Sequence, residues 1–404
     1  MTSHRIAVVG IGEDGLDGLT PVARRLIDDA EVIIGGGRHL ALLPKDGHHP
    51  KRRQMTWASP LKKTIKAIAQ LRGKRICVLA TGDPMHYGIG VTLAREFPGQ
   101  VTIIPHLSAF SLATARLGWP LASVSQITLH GRPAALLNRH LRPGARLLIL
   151  ADDGDTPQTV AQLLRQAGYG DSRLTVFEHM AGDNEKCFTA IANRWRRRVR
   201  PFNTIAVECI SELAALPVTG LPDDAYRHDG QLTKQAVRAI TMSALVPTPD
   251  ALLWDVGAGA GSIAIEWLRQ DASARAIAIE RLASRRDCIR ENADRLGVPN
   301  IEIIAGDAPL ALKGLPRPDA VFVGGGVSTP GLIALCWRSL KTGGRLLANA
   351  VTIEGEAALL KQQTRHGGTL RRVSVAQQAP IGKTKSLHIW REAPAVVQYQ
   401  GDKP

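Results

Sequence analysis

Three glycines at alternate positions, with an acidic residue in front, form the pattern in this sequence that most directly predicts a ligand site. Residues 252–267 (LLWDVGAGAGSIAIEW) place Gly257, Gly259 and Gly261 between an apolar run and an amphipathic segment. The apolar run predicts a buried parallel strand, and the segment after it predicts a helix. Glycine permits the sharp turn between them and lets a ligand lie against bare peptide N–H groups. The pattern therefore predicts a bound cofactor at the end of this strand.

A second acidic residue, Glu280, ends the next predicted strand, 274–279. A carboxylate at that strand end can accept hydrogen bonds from both hydroxyls of a ribose. Ser262 occupies the last position of the nicotinamide fingerprint G-x-G-x-x-G/A, which disfavours a dinucleotide. A tight strand–helix turn followed by a surface glutamate is the alternative interpretation. The variant G-x-G-x-G resembles motif I of the S-adenosyl-L-methionine methyltransferases, which implies a cofactor site at Gly257, Gly259, Gly261 and Glu280.

Length and composition favour a folded protein of two domains. The chain has 404 residues, which is long for a single core, and 44% of them are hydrophobic. The polar segment 211–229 contains two prolines and a glycine, follows neither strand nor helix periodicity, and is predicted to be a linker. We therefore expect one domain over residues 1–210 and a second over residues 230–404.

The charge of the chain favours an anionic partner. Lys and Arg number 51 against 36 Asp and Glu, a net charge of +15, which suits either a nucleic acid or a small polyacid. The basic residues are dispersed and aromatic residues make up 4%, which disfavours a nucleic-acid surface. No apolar run reaches the roughly 18 residues of a membrane helix, and the N-terminus lacks a signal-peptide core. We expect a cytoplasmic homo-oligomer that binds neither membrane nor nucleic acid and has no metal site.

Three loops rich in glycine or small residues follow predicted strands in the first half of the chain: 10–15, 82–90 and 107–109. Strands alternate with helices here, which predicts α/β architecture with largely parallel pairing. Ligands of such sheets bind at the carboxyl ends of the strands. Each loop alone is a weak signal, because Gly-Asp-Pro is a common turn. His39 and His106 are equally explained as helix-end or core residues.

Four blocks in this half, VVGIGEDGLDGLTP, GGRHL, TGDPMHYGIG and PHLSAFSLATARLGWP, together resemble the tetrapyrrole methyltransferase family. The resemblance implies a two-lobed class III methyltransferase domain that binds S-adenosyl-L-methionine between two α/β lobes. By residue match, it implies a cofactor site at Gly10, Gly12, Gly82, Asp83, Pro84 and Ser108. The family often carries Pro-Gly-Asp after its first G-x-G, whereas this chain has Glu13-Asp14-Gly15, so the role of Asp14 stays open.

The second half continues as β/α units that end in two predicted strands, 370–377 and 385–391. Its segments HDGQLTK, WDVGAGAGSIAIE, GDAP and VFVGGG resemble the decarboxylating precorrin methyltransferase family. The resemblance implies a Rossmann-like class I methyltransferase sheet of seven strands whose cofactor also contacts Thr233, Asp307 and Ala308. Asp307 has an alternative role as the N-cap of a helix beginning at Pro309. The loop VGGG lacks the [DN]-P-P-[YF] sequence with which amino-methylating nucleic-acid enzymes grip a base.

The presence of both families in one chain implies a methyltransferase of cobalamin biosynthesis. Such an enzyme would methylate a precorrin-6B type tetrapyrrole at carbons 5 and 15, with S-adenosyl-L-methionine as donor, and would decarboxylate the ring-C acetate. Methyl transfer is an in-line displacement that depends on alignment and the exclusion of water. The sequence has no Ser-His-Asp or paired-carboxylate signature, and we assign no catalytic residue.

The implied substrate is a polyacid, whose carboxylates Arg and Lys can hold. Candidate clamps are Arg38, Arg132, Lys234, Lys383 and Lys385, each of which also has the simpler interpretation of a surface charge. Two other classes of protein stay open. An RNA methyltransferase would account for the charge and the glycine motif but not for the first half. A non-enzymatic carrier of corrin intermediates would bind the pigment without any dependence on S-adenosyl-L-methionine.

Overall fold

The computed structural model describes residues 6–44, 52–71, 73–381 and 384–404. The chain divides into two compact α/β units. Unit 1 consists of Met1–Ala134 and Arg142–Leu213, and unit 2 consists of Ala135–Leu141 and Ala214–Pro404. Within the described residues, no helix is long and apolar enough to cross a membrane.

The first sheet of unit 1 is parallel throughout, as the sequence predicts. Its strands are β1 (Ile6–Ile11), β2 (Val32–Gly35), β3 (Arg53–Thr56), β4 (Ile76–Thr81) and β5 (Val101–Ile104). They lie in the order β3–β2–β4–β1–β5. The connecting helices are α1 (Pro21–Asp28), α2 (Gly37–Ala41), α3 (Lys62–Gln70) and α4 (Ile89–Glu96). The apolar strands β1 and β2 are buried along their whole length because helices cover both faces.

The second sheet of unit 1 is mostly antiparallel, so the expectation of largely parallel pairing is wrong here. Helix α5 (Ala109–Leu117) precedes the first strand of this sheet along the chain. Helix α6 (Thr156–Gln166) connects two of its strands. Its strands are β6 (Ser125–Thr128), β7 (Arg146–Leu150), β8 (Arg173–Glu178), β9 (Lys186–Ile191) and β10 (Asn203–Glu208). In the order β6–β7–β10–β8–β9, β10 returns between β7 and β8 and runs antiparallel to both. Strand β6 alone pairs in parallel, with β7.

Unit 2 contains the seven-stranded sheet that the sequence predicts. Its helices are α7 (Gln235–Leu245), α8 (Ser262–Gln270), α9 (Ala283–Arg295), α10 (Leu332–Ser339) and α11 (Ile353–His366). Its strands are β11 (Leu252–Val256), β12 (Arg275–Glu280), β13 (Glu302–Ala305), β14 (Ala320–Val323), β15 (Arg345–Ala350), β16 (Thr369–Val373), β17 (Ala376–Ile381), β18 (Thr384–Glu392) and β19 (Val396–Asp402). The sheet has the order β13–β12–β11–β14–β15–β19–β16, with β19 antiparallel to both its neighbours.

The prediction that residues 385–391 form the last strand of this sheet is wrong. Those residues lie in β18, which pairs with β17 in a separate two-stranded hairpin. The last strand of the sheet is β19. It was not predicted from the sequence because its polar residues do not fit the pattern of a buried strand. Its Gln398 is fully buried, and the side-chain amide donates to Thr241 at 3.3 Å and Asn349 at 3.0 Å. A glutamine with buried partners can occupy a core strand.

Residues 214–229, expected to be linker, belong to unit 2 in the structure. Leu221 is fully buried and Tyr226 is nearly so. The buried carboxylate of Glu266 on α8 accepts the backbone N–H of Gly220 at 2.7 Å and of Leu221 at 3.0 Å. The segment lacks strand or helix periodicity because its backbone is held by this side chain rather than by a ladder of its own.

A second piece of chain, residues 135–141, also belongs to unit 2 although it is flanked by unit 1. The Asn138 amide donates to the carbonyl of Asp294 at 2.9 Å, and the Arg139 guanidinium donates to the carbonyl of Arg269 at 3.2 Å. Gly297 has φ +80°, and a Cβ there would collide with the backbone of Arg139. Glycine is needed at 297 because the two backbones approach so closely.

Candidate functional site

The carboxyl ends of the parallel strands in unit 2 open onto a cavity of about 840 Å³. Segments far apart in the sequence meet in its lining. The predicted residues among them are Thr233, Lys234, Gly257, Gly259, Glu280, Asp307 and Ala308. This arrangement is the one that the general position of ligands in such sheets predicts.

The glycine loop after β11 brings bare backbone to this cavity. Gly257 has φ +71° and Gly259 has φ +58°, in the left-handed region that favours glycine. A Cβ on Gly257 would lie 3.0 Å from the nitrogen of Gly325, and one on Gly259 would lie 3.2 Å from the carbonyl oxygen of Gln231. Any side chain here would strain the backbone and narrow the cavity.

The start of α8 is fixed by packing and by one buried carboxyl. Gly261 does not line the cavity; it has φ +79°, and a Cβ there would lie 3.0 Å from Ile289. One carboxyl oxygen of Asp255 accepts the N–H of Ala264 at 3.0 Å, and the other is buried without a partner within the described part of the chain. Burial, with a contribution from the charge of Glu280, raises the pKa of Asp255 to about 7.

Glu280 is buried, in contrast to the surface glutamate of the alternative interpretation. It is 4% exposed. One carboxylate oxygen accepts the N–H of Gly259 at 2.9 Å and the other accepts the N–H of Leu282 at 3.0 Å. A carboxylate has about four acceptor positions, so these two bonds leave capacity for the hydroxyls of a ribose. Glu280 thus ties the glycine loop to the end of β12.

A fully buried ion pair holds the segment that carries Thr233. Arg238 on α7 pairs with Glu266 at 2.6 Å, and both side chains are 0% exposed. The Arg238 guanidinium also donates to the carbonyls of Leu221 and Thr233 and lies 4.8 Å from the ring centroid of Tyr226. Sequence analysis missed this pair because a basic residue in an amphipathic helix ordinarily faces solvent.

Asp307 is exposed and pairs with Arg281 at 3.9 Å. The helix expected from Pro309 is a single short 3₁₀ turn, Leu310–Leu312. The carbonyl of Asp307, not its carboxylate, accepts the N–H of Ala311 at 2.9 Å. The side chain is therefore not an N-cap; it lies in the lining of the cavity together with its partner Arg281.

The proposed carboxylate clamps lie in different surroundings. Lys234 lines the unit 2 cavity and pairs with Asp223 at 3.7 Å. Lys383 lies outside the described residues, and so does the side chain of Lys385. In unit 1, Arg132 is not among the residues that line the large cavity of that unit; its guanidinium lies 5.6 Å from the ring centroid of Tyr87, which lines that cavity.

Unit 1 has a cavity of its own, of about 670 Å³, at the carboxyl ends of its first sheet. Of the predicted cofactor residues, those in its lining are Gly12, Gly82, Asp83 and Ser108. Gly10 and Pro84 lie behind the lining. A Cβ on Gly10 would collide with the carbonyl of Gly82, and a Cβ on Gly88 would collide with the carbonyl of Pro84. Gly10 and Pro84 therefore make close backbone contacts that support the wall of the cavity.

Two of the lining residues also stabilise the loops that carry them. Ser108 is the N-cap of α5 and accepts the N–H of Ser111 at 3.1 Å. The Asp83 carboxylate accepts the N–H of Met85 at 2.8 Å. Asp14, whose role the sequence leaves open, lies 3.3 Å from the Nε2 of His106.

A charged cluster in the unit 1 cavity was missed by sequence analysis. Glu13 pairs with Arg38 and with His179, the latter at 2.8 Å. The Arg38 guanidinium also donates to the Thr81 hydroxyl at 2.8 Å and lies 3.9 Å from the ring centroid of Phe202. Arg38 therefore lines the cavity but already has partners. The one feature of the sequence that could have indicated this cluster was the acidic Glu13, which occupies a position where tetrapyrrole methyltransferases often have proline.

No group of three His, Cys, Asp or Glu side chains in the described ranges is placed to hold a metal ion.

Two family models match the chain, one in each unit. Residues 5–193 match the tetrapyrrole (corrin/porphyrin) methylases, and residues 224–403 match the precorrin methyltransferase domain. A Sinorhizobium sp protein named precorrin-6Y C(5,15)-methyltransferase (decarboxylating) is 44% identical over 412 residues, covering 100% of this chain and 97% of that protein.

Two proteins of Salmonella typhimurium match parts of the chain. Cobalt-precorrin-7 C(5)-methyltransferase is 33% identical over 182 residues, which are 45% of this chain and 88% of that protein. Cobalt-precorrin-6B C(15)-methyltransferase (decarboxylating) is 40% identical over 124 residues, which are 30% of this chain and 64% of that protein.

Proposed function

Since the chain belongs to the precorrin-6Y C(5,15)-methyltransferase (decarboxylating) family, we propose that each of its two units performs one methyl transfer. The chain is a C-methyltransferase of cobalamin biosynthesis. Its reaction adds methyl groups at carbons 5 and 15 of a precorrin and removes carbon dioxide from the ring-C acetate. S-adenosyl-L-methionine is the methyl donor at both sites, and the substrate is an anionic tetrapyrrole.

The observation that carries this proposal is the presence of two separate cavities, each formed within one unit and each lined by its own glycine loops. In unit 2 the backbone at Gly257 and Gly259 receives the cofactor, and the carboxylate of Glu280 accepts from its ribose. Thr233, Asp307 and Ala308 complete that site. In unit 1 the cofactor is bound by the loops that carry Gly12, Gly82, Asp83 and Ser108.

The two reactions are divided between the units. Unit 2, which matches the precorrin methyltransferase domain, methylates carbon 15 and releases carbon dioxide; unit 1 methylates carbon 5. A division of this kind is consistent with the two Salmonella proteins, which are named for one reaction each and match 45% and 30% of this chain.

Cationic side chains in the unit 2 cavity suit a substrate with several carboxylates. Those in its lining are Lys234, Arg281, Arg285 and Arg391. They hold peripheral carboxylates by charge-assisted hydrogen bonds, and this binding energy orients the reacting carbon. The macrocycle itself accepts the electron pair that the departing carbon dioxide leaves behind. The protein contributes alignment and the exclusion of water.

Two matched variants test the division. Gly37 lines the unit 1 cavity and Gly325 the unit 2 cavity. Neither has a positive φ, and an added Cβ would meet nothing within 4 Å at Gly37 and nothing closer than 3.9 Å at Gly325. Tryptophan at either position therefore fills one cavity without straining the backbone. The variants are incubated with a precorrin-6B substrate and labelled S-adenosyl-L-methionine, and products are counted by mass.

We expect Gly37→Trp to give a singly methylated, decarboxylated product and Gly325→Trp to abolish carbon dioxide release. The reverse pattern would exchange the assignments of the two units. Binding of the pigment without any methyl transfer by the parent chain would favour a carrier. Methylation of RNA in place of the pigment, together with steep salt dependence of RNA binding, would favour the nucleic-acid enzyme.

A further inference from the structure

His179 lies in the unit 1 cavity with a backbone conformation that glycine adopts more readily. It follows β8 directly, lines the cavity and has φ +47°. The strained turn is held by hydrogen bonds from its own N–H to the carbonyl of Phe202 at 3.3 Å and from the Gly182 N–H to its carbonyl at 3.1 Å. Glycine at this position would remove the strain. A side chain kept at such a position in a cavity points to a use for the imidazole.

Glu13 fixes which nitrogen of that ring is available. Its carboxylate lies 2.8 Å from Nδ1 of His179 and pairs with Arg38. Although burial alone would raise the pKa of Glu13, the hydrogen bond to His179 and the charge of Arg38 outweigh it and lower that pKa. The carboxylate is therefore ionised and accepts the Nδ1 proton. In the neutral ring this leaves Nε2 as an acceptor.

The reaction assigned to unit 1 releases a proton. The nucleophile is a bridging carbon of the tetrapyrrole that carries one hydrogen. Its double-bond electron pair forms the new carbon–carbon bond, while the sulfur–methyl bond breaks and its electron pair stays on sulfur. The ring is then cationic. Loss of the proton from this carbon leaves the electron pair of the broken C–H bond in the ring, which restores the double bond, so this methyl transfer requires that one proton leave.

We propose that Nε2 of His179 accepts this proton and that Glu13 is the positioning residue that orients the ring. The proposal rests on the assignment of a methyl transfer to unit 1. His179 becomes the imidazolium, which the adjacent carboxylate stabilises, and then releases the proton to water. Proton transfer by a positioned histidine of this kind is an ordinary form of general base catalysis.

Several other titratable groups in the lining, among them His39, Asp83 and Asp152, are less suited to the task. His39 on α2 bonds the Thr81 hydroxyl through Nε2 at 2.9 Å. Burial, with the charge of Arg38 adding to it, lowers the pKa of His39 to about 4, which makes it a weak base. Asp83 accepts the N–H of Met85, and Asp152 pairs with His130. Glu13 and Arg38, which face His179 most closely, neutralise each other.

His179→Gly tests the proposal, because it removes the imidazole, relieves the positive φ and leaves space for a small base. Ala181→Gly is the matched control. Ala181 lies in the same loop, also has a positive φ (+69°), and carries no functional group. Each variant is assayed for the second methyl group on the pigment by mass, with and without added imidazole, and for S-adenosylhomocysteine binding by calorimetry.

We expect His179→Gly to slow methyl transfer in unit 1 by about 10²–10⁴-fold, with cofactor binding unchanged and the rate partly restored by imidazole. Ala181→Gly keeps the parent rate. Glu13→Gln slows the parent chain by a larger factor than it slows His179→Gly, because the ring that Glu13 orients is absent from that variant. A His179→Gly rate within threefold of the parent, or a loss that imidazole does not restore, would overturn the proposal. Failure of the parent chain itself to add the carbon-5 methyl would instead contradict the proposed function.

Discussion

Replacing Arg238 by methionine removes one member of the fully buried ion pair of unit 2 while keeping much of its volume. The guanidinium is 0% exposed and lies 2.6 Å from the carboxylate of Glu266. The variant leaves that carboxylate buried without its charge partner and removes the donor to the carbonyls of Leu221 and Thr233. Those carbonyls belong to the segment that lines the unit 2 cavity.

The size of the effect follows from what remains around Glu266. Breaking a buried pair by removing one partner costs about 3–5 kcal/mol. The N–H groups of Gly220 and Leu221 and the hydroxyl of Tyr226 still donate to Glu266, so we expect the lower end of that range. At about 2–4 °C per kcal/mol for a unit of this size, a loss of about 3 kcal/mol lowers the melting temperature by about 6–12 °C.

Calorimetry and amide hydrogen exchange on the full chain measure this. Exchange in peptides from α8 reports unit 2 separately from unit 1, and titration with S-adenosylhomocysteine reports the unit 2 site, which should weaken. Arg290→Met is the control: it removes an exposed pair with Asp287 (59% and 68% exposed) and should change stability by less than about 1 kcal/mol.

A stability of Arg238→Met within about 1 kcal/mol of this control would refute the reasoning. The double variant Arg238→Met with Glu266→Gln supplies a further check. Glutamine carries no charge to be stranded, so the double variant should be more stable than Arg238→Met alone. A double variant that is less stable would mean that the lost hydrogen bonds, and not the buried charge, dominate.

Two further predictions concern the glycine loop of unit 2. Since burial raises the pKa of Asp255 from 3.8 to about 7, its stabilising contribution is complete below pH 4 and is lost as the pH rises through 7. Asp255→Asn should therefore gain about 3 kcal/mol relative to the parent between pH 5 and pH 8, measured by denaturant unfolding; equal pH profiles would contradict this. Gly259→Val, with φ +58° and a Cβ 3.2 Å from the Gln231 oxygen, should lose one of two S-adenosylhomocysteine sites in calorimetry while circular dichroism stays unchanged, and unaltered binding would contradict the assignment.

What the sequence predicts well in this chain is local. The glycines at 257 and 259 and the acid at 280 lie within one β–α–β unit, where the positions of strand, turn and helix fix which residues meet. Strand β19 was not predicted, because Gln398 bonds Thr241 and Asn349, which lie in distant segments of the sequence. Without them a polar residue in a core strand has no explanation.

The clusters around Arg238 and His179 could not be predicted for a related reason. Glu13 and His179 are 166 positions apart, and nothing in either neighbourhood indicates that they meet. The positive φ of His179 is a property of the folded loop, since histidine has a positive φ more often than most residues but still only in a small minority of cases. Arg238 looks like a solvent-facing helix residue until the segment before α7 folds over it. The contact between Glu13 and His179, the positive φ of His179 and the burial of Arg238 all depend on tertiary contacts and not on local propensity.

The path of the chain through residues 135–141 has a consequence for how the protein is made. These residues leave the ribosome before any other part of unit 2 has been synthesised, whereas α9, which carries Asp294, follows more than a hundred residues later. Unit 1 can therefore complete its fold during synthesis while this short segment waits for its neighbours. For the same reason, no single proteolytic cut divides the chain into its two units. A fragment that begins at residue 214 lacks the backbone that covers Gly297, and its α9 should exchange amide protons faster than α9 of the full chain.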